Sequence, residues 1–360
     1  MSNSRPRPVL MTPIRRCGSH ALRLRLNQSP DFYSPYPMHI VDFMPLVDLY
    51  GDLNNDWSYF QLVLDLVGLQ NATMVKWDGV ALDPVRVFES IKDCSRNVHR
   101  VAWEMLFQAG QIHDAKIVMD KSLDNVYHAE ELIDLFDDML FLNVVRDPRA
   151  QVNSINRAII HDYDPMLNTI SWVKAHEQAR KIAEKHPERI LTIRYEDFLT
   201  NQAAVLNQIC QFFGIEFLDS MTDVANSKEA KDISVLSALW ETNSSAPITA
   251  YIDKFKKTMS MADIEIVETI ASELMDLYGY KKITPAQAAV TPEAIAEAKR
   301  QSAPKKQEAW SALKVNDPRD YQLRKFRADY LAMVKKRLLE QQVKTLNKFG
   351  GQAVTSVAGT

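Results

Sequence analysis

The chain has 360 residues, 46% of them hydrophobic and 25% charged, enough to bury a large core as one domain with an appendage. A formal net charge of −3 and a pI near 6.3 argue against a general nucleic-acid binder, which carries a strong basic excess, so any anion site must be local. Three scattered cysteines, Cys17, Cys94 and Cys210, are too few for a disulfide framework or a zinc site and set a reducing compartment as the expectation.

Ser2 to Pro8 carries Arg5 and Arg7, but Pro13 and Arg15 interrupt the apolar run behind it, a pattern of neither a signal peptide nor a membrane anchor. From Val9 the apolar run ends in Arg15, Arg16, Cys17, Gly18 and Ser19, and a helical pattern opens behind it with Leu22 and Leu26 on one face. This predicts a strand, a turn and a helix start. Gly18 lets the backbone approach a ligand and Ser19 offers a hydroxyl. Free N–H groups at the helix start and nearby guanidinium groups favour a phosphate-like anion. No Walker pattern is present in this stretch: Gly18 is its only glycine and no Lys-Ser or Lys-Thr follows directly.

Closely spaced prolines at Pro35 and Pro37 predict an extended or turn segment, with His39 just beyond it. Asp48 to Gly110 reads as helical and core-forming, with Trp57, Tyr59, Phe60, Trp77, Phe88, Trp103 and Phe107. Lys116 to Asp120 predicts a second strand running into Lys121, and Glu130 to Asp138 a helix. Leu140 to Val145 predicts a buried strand ending in Arg146, with Pro148 opening a helix that contains Ser154. Trp172 to Lys185 predicts another helix, and Ile190 to Arg194 a strand followed by Tyr195. Alternating strands and helices predict an α/β fold: a P-loop-like three-layer arrangement, its central parallel sheet flanked by helices. Ligands in such sheets bind beyond the carboxyl ends of the strands, where Arg16, Lys121, Arg146 and Tyr195 all fall.

Three stretches together resemble the sulfotransferases that use 3′-phosphoadenosine 5′-phosphosulfate. Arg16 to Ser19 is similar to their phosphosulfate loop, with Arg15 replacing a proline and Cys17 a serine. Arg146, Asp147, Pro148 and Ser154 match their 3′-phosphate motif in order and spacing. Arg194, Tyr195, Glu196, Asp197 and Phe198 are similar to their Arg-Tyr-Glu-Asp strand end. The resemblance covers residues 9 to 280 and includes bacterial members such as the sulfotransferase domains of olefin-forming polyketide synthases. It implies donor binding by Arg15, Arg16, Cys17, Gly18, Ser19, His20, Arg146, Ser154 and Tyr195, with Arg16 and Lys121 stabilising charge and no metal required. Leu123 stands where cytosolic eukaryotic members carry a catalytic histidine. Tyr36-Pro37-Met38-His39 resembles a bacterial Pro-Pro-Glu-Leu-His pattern, which makes His39 the expected base, with His20 and Asp42 in reserve. Asn243, Ser244, Lys254 and Lys256 are candidates for a late basic contact to the 3′-phosphate.

The expected activity is sulfuryl transfer to a hydroxyl or amine of a small-molecule acceptor, such as a natural product or carbohydrate, by a cytoplasmic enzyme. The alternatives are a P-loop-type kinase and a nucleotide-binding module that has lost catalysis. Residues 1–280 are expected to form the catalytic domain and 281–306 a linker or loose helix rich in Ala, Pro, Gln and Lys. Residues 307–360 are expected to form a basic helical extension with a frayed tail. Its Leu323, Phe326, Tyr330, Met333 and Leu338 would pack on the main domain or on a second subunit, as in a homodimer. Because every motif precedes Tyr280, this extension is expected to be dispensable for nucleotide binding.

Overall fold

A computed structural model describes residues 5–225, 227–237 and 248–350. Five strands, β1 (Arg7–Thr12), β2 (Phe32–Tyr33), β3 (Ile117–Asp120), β4 (Leu140–Val145) and β5 (Ile190–Arg194), form one sheet in the order β2-β3-β1-β4-β5. Every pairing is parallel. The strands are apolar along their length because both faces are covered.

Side-chain alternation divides the core into two layers. Val9, Met11, Leu140, Leu142 and Val144 pack against helices Ser19–Leu26 and Gln202–Phe213. Leu10, Val118, Phe141 and Val145 face the opposite layer, where helices Asp56–Ala72, Val98–Ile112 and Pro165–Lys185 contribute Leu62, Trp103 and Trp172. The expected three-layer architecture is therefore observed. Tyr59, Trp77, Trp103 and Phe107 are core, as their spacing predicts, but Trp57 is 64% exposed at the first turn of its helix. The chain runs from β1 to one side of the sheet and later to the other, leaving a switch point beside the carboxyl end of β1.

Two expectations about the C-terminal part change, and a third holds except at Met333. The break expected at residue 280 falls inside a hydrogen-bonded network: buried Glu268 accepts from the Ile283 and Thr284 N–H groups, and Arg149 donates to both Glu268 and the Lys281 carbonyl. The linker extends only to Thr291. From Pro292 the chain is helical to Asn316, with Pro304 inside, and Ser302 bonds Asp162 and the Tyr163 N–H. The last helix, Pro318–Gly350, packs on its own chain, as one of the two expected arrangements. Its buried stripe is Val334 and Leu338 with Tyr330 beside them, while Met333 is 58% exposed. Positions 330, 334 and 338 share a face at helical spacing, and 333 lies about 100° round from 334. Asn243 and Ser244 lie outside the described residues.

Candidate active site

Each strand delivers a polar or cationic group at its carboxyl end. Across the sheet the order is His39 beyond β2, Lys121 after β3, the Arg15–Ser19 loop after β1, Arg146 after β4 and Tyr195 after β5. The loop is formed by two left-handed residues, Arg16 at φ 70° and Gly18 at φ 90°. Gly18 is required on a second ground: a Cβ there would stand 2.0 Å from the Tyr195 ring. Side chains hold the loop's carbonyls. Gln151, itself fixed by the Trp172 indole N–H, donates to the Ile14 and Arg15 carbonyls, and Arg146 donates to that of Arg16 at 2.8 Å. No side chain caps helix Ser19–Leu26, so its first N–H groups remain directed at the loop.

Lys121 is buried, its Nζ 3.4 Å from Ser19 Oγ. Burial, and then the charge of Arg23, pushes its pKa down to about 7. The turn behind it is pinned by Asp120, which accepts from the Ser122 N–H and the Asn125 amide. Ser122 Oγ in turn accepts from the His39 N–H at 2.9 Å, which brings His39 beside Lys121. His39 has left-handed backbone (φ 50°). Burial and the charges of Arg15, Arg327 and Lys121 hold its imidazole neutral, well below the ordinary range. His20 is shifted the same way, by burial and then Lys121. Asp42, the reserve base, is instead ion-paired to Arg327 at 2.9 Å.

On the other side of the loop Arg16 Nε donates to Ser154 Oγ at 3.1 Å, and the Arg146 guanidinium stacks 5.0 Å from the Tyr195 ring centre. Burial and the adjacent Arg146 lower the Arg16 pKa to about 10. The structure thus brings Arg16, Arg146, Ser154 and Tyr195 together. Cys17 is fully buried under the loop, facing the apolar layer, and Arg15 turns away to pair with Asp124 at 2.6 Å. Glu196, next to Tyr195, braces two strand ends by accepting from the Asp147 N–H and the Tyr280 hydroxyl. Lys254 and Lys256 are exposed, Lys256 paired with Asp253.

Several residues at the site carry no sequence signal. Arg327 of the last helix donates to the His39 carbonyl at 2.7 Å and, with Met38, Ile40, Phe43, Leu66 and Leu69, lines a small hollow with room for about one water molecule. Buried Arg23 pairs with Glu229. His161, lowered to about 4 by burial and then Arg15, lies near the same loop. Elsewhere the structure assembles His99, His128 and Glu131, a potential metal-ligand cluster that their sequence spacing does not announce.

A parallel sheet whose switch point carries a glycine turn, a helix start and converging cations forms a site suited to an anionic group such as phosphate. Residues 8–219 match the sulfotransferase family, and the chain belongs to it. Sulfuryl transfer is accordingly its activity. Among solved structures, the sulfotransferase domain of the olefin synthase of Synechococcus PCC 7002 is similar at 20% identity and a TM-score of 0.51, covering 75% of this chain and 97% of that one. That likeness is one of fold. The sulfotransferase domain from the curacin biosynthetic pathway matches at 16% identity, TM-score 0.47, over 76% and 98% of the two chains. No curated protein matches the chain. Among the described residues, no helix is long and apolar enough to cross a membrane.

Proposed function

We propose that the chain moves the sulfuryl group of 3′-phosphoadenosine 5′-phosphosulfate to a hydroxyl or amine of a small-molecule acceptor, by in-line transfer in the cytoplasm. The family match supports the choice of donor, and the charge at the site agrees with it. Arg16 and Lys121 are held at about 10 and about 7 by burial and by neighbouring guanidinium groups, a repulsion that a multiply charged phosphate ester relieves. Gly18, packed under the Tyr195 ring, makes the turn that leaves the first N–H groups of helix Ser19–Leu26 without a side-chain cap and so available to a phosphate. Free, buried Cys17 in that loop suits a reducing compartment.

In this reading the donor supplies an activated sulfuryl group, and the chain's residues do the rest. Gly18, Ser19 and the helix start hold the 5′-phosphate, with Cys17 and His20 shaping the loop and Arg15 anchoring it through Asp124. Arg146 and Ser154 hold the 3′-phosphate. Arg16 and Lys121 stabilise charge on the sulfonyl oxygens and on the leaving phosphate, a duty that in other transferases falls to a metal ion. His39, kept neutral, takes the acceptor proton as the new O–S or N–S bond forms and the bond from sulfur to the phosphate oxygen breaks. A homodimer through the last helix would use its outer face, where Met333, Leu339 and Val343 are exposed.

Thermal shift tests the donor: 3′,5′-adenosine bisphosphate should stabilise the protein, by about 2.7 kcal/mol at a hundredfold excess over Kd, and ATP with Mg²⁺ should not. The opposite pattern would favour the kinase. Stabilisation without turnover, in a mass-spectrometric screen of hydroxylated and amine metabolites, would favour the binding module.

A further inference from the structure

His99, His128 and Glu131 come from three elements that meet on one side of the molecule. We infer that they form a site for a borderline divalent transition metal, with Zn²⁺ its natural probe. His99 is the second residue of helix Val98–Ile112. His128 ends the 3₁₀ turn Leu123–His128, and Glu131 lies in the first turn of helix Ala129–Leu135. One ligand atom from each lies within 4.8 Å of the other two. Glu131 Oε2 stands 3.4 Å from His99 Nε2 and 3.6 Å from His128 Nδ1. Nitrogen and oxygen ligands on a tetrahedral ion, with bonds of about 2.0–2.1 Å, stand roughly 3.4 Å apart. Both imidazoles therefore stand at ligand spacing from the carboxylate, and the two imidazole nitrogens lie within 4.8 Å of each other, so a small side-chain movement would close all three on one ion.

The donor set agrees with the spacing. Two imidazoles and a carboxylate suit zinc, cobalt, nickel or copper, whereas magnesium and calcium prefer all-oxygen shells. His99 provides an independent observation. Its side chain has no exposed surface, and neither ring nitrogen makes a hydrogen bond. A buried polar group without a partner is costly, and a metal bond would use one of those nitrogens. His128 and Glu131 are 28% and 43% exposed, which leaves an entry path and space for water as a further ligand. Two helix starts meet here, and their partial positive charge opposes a cation; the Glu131 carboxylate in the first turn of the second helix offsets it, while Glu130 is paired with Lys185.

An ion at this point would tie the segment that begins at Lys121 and Ser122 to helix Val98–Ile112. The site is a structural staple with an open coordination position, independent of the donor loop's chemistry.

The test uses the full chain, tag-free and stripped with a chelator. Calorimetric titration with ZnCl₂ should show one equivalent bound and a raised melting temperature, and Co²⁺ should give the intense visible absorption of a four-coordinate site. Mg²⁺ should do neither. His128→Ala and Glu131→Gln, at part-exposed positions and checked for folding by circular dichroism, should each weaken Zn²⁺ by at least about tenfold. His99→Phe should abolish the binding, and the two surface variants keep the test valid where that one fails to fold. No saturable Zn²⁺ binding, or binding undiminished in both surface variants, overturns the site.

Discussion

Replacing Lys121 by methionine keeps the length of the side chain and removes its charge, so it separates what this residue does for the fold from what it does for the donor. Its pKa is about 7 in the folded chain against an ordinary 10.5, lowered by burial first and then by Arg23 and Arg15, with Cys17 and Asp120 acting in the opposite sense. That fall of about 3.5 pH units corresponds to roughly 5 kcal/mol at 1.36 kcal/mol per unit, a ceiling on the cost of folding with the charge in place. The folded value lies below the unfolded one, so between about pH 7 and 10.5 the unfolded chain binds more protons and stability rises with pH. Below about 7 the whole cost is present, and above 10.5 it is gone. Lys121→Met should therefore stabilise the ligand-free protein by a few kcal/mol near pH ~6.5, and the gain should shrink towards pH ~9.5. Denaturant midpoints at the two pH values measure this. The same variant should lose most of its turnover and gain less than the parent from 3′,5′-adenosine bisphosphate. A folded variant less stable than the parent at both pH values would refute the claim that Lys121 is held against its own charge.

His39→Ala should lower kcat by roughly 10² to 10⁴ while 3′,5′-adenosine bisphosphate affinity stays within a few fold. Because burial and then Arg15 hold His39 well below the ordinary histidine range, the parent's activity should stay level as pH falls to about 6.5 and decline only below it; a midpoint at the ordinary value would contradict that environment. Ser154→Ala should weaken 3′,5′-adenosine bisphosphate more than adenosine 5′-phosphosulfate in calorimetric titration. Arg146→Ala should cost more than about tenfold and also touch the second nucleotide, since Arg146 holds the Arg16 carbonyl; equal loss for both nucleotides in both variants would reject the 3′-phosphate assignment. Arg327→Ala should lower kcat with little change in nucleotide affinity, because Arg327 holds the His39 backbone and Asp42 rather than the donor loop. An equal loss of nucleotide affinity would show that the last helix completes the donor site.

The parts of this molecule that were legible in its sequence are those whose chemistry is local. A run of apolar residues ending in Arg16, Lys121 or Arg146 encodes both the strand and the group at its end, and parallel pairing brings the ends to one edge. β2 was not legible, since Phe32–Tyr33 is too short to show a period. Helix Pro292–Asn316 resembles a linker over its first half because its Ala, Lys and Gln, good helix formers, are accompanied by few apolar residues, and because Pro304 interrupts the pattern. Contacts that fix the site's electrostatics join residues far apart in the chain, where no pattern records them. Nothing near Arg15 in the sequence announces its pairing with Asp124, and nothing near His39, the expected base, announces that Arg327, from the far end of the chain, takes its carbonyl. The sheet can therefore be inferred from sequence, but the pKa values at its edge cannot, since each is set by burial and by cations that the fold brings from elsewhere in the chain. Lys121 is the clearest instance: its sequence neighbours predict an ordinary lysine, and its neighbours in space hold it near neutrality, so that a phosphorylated donor meets a charge already in need of an anion.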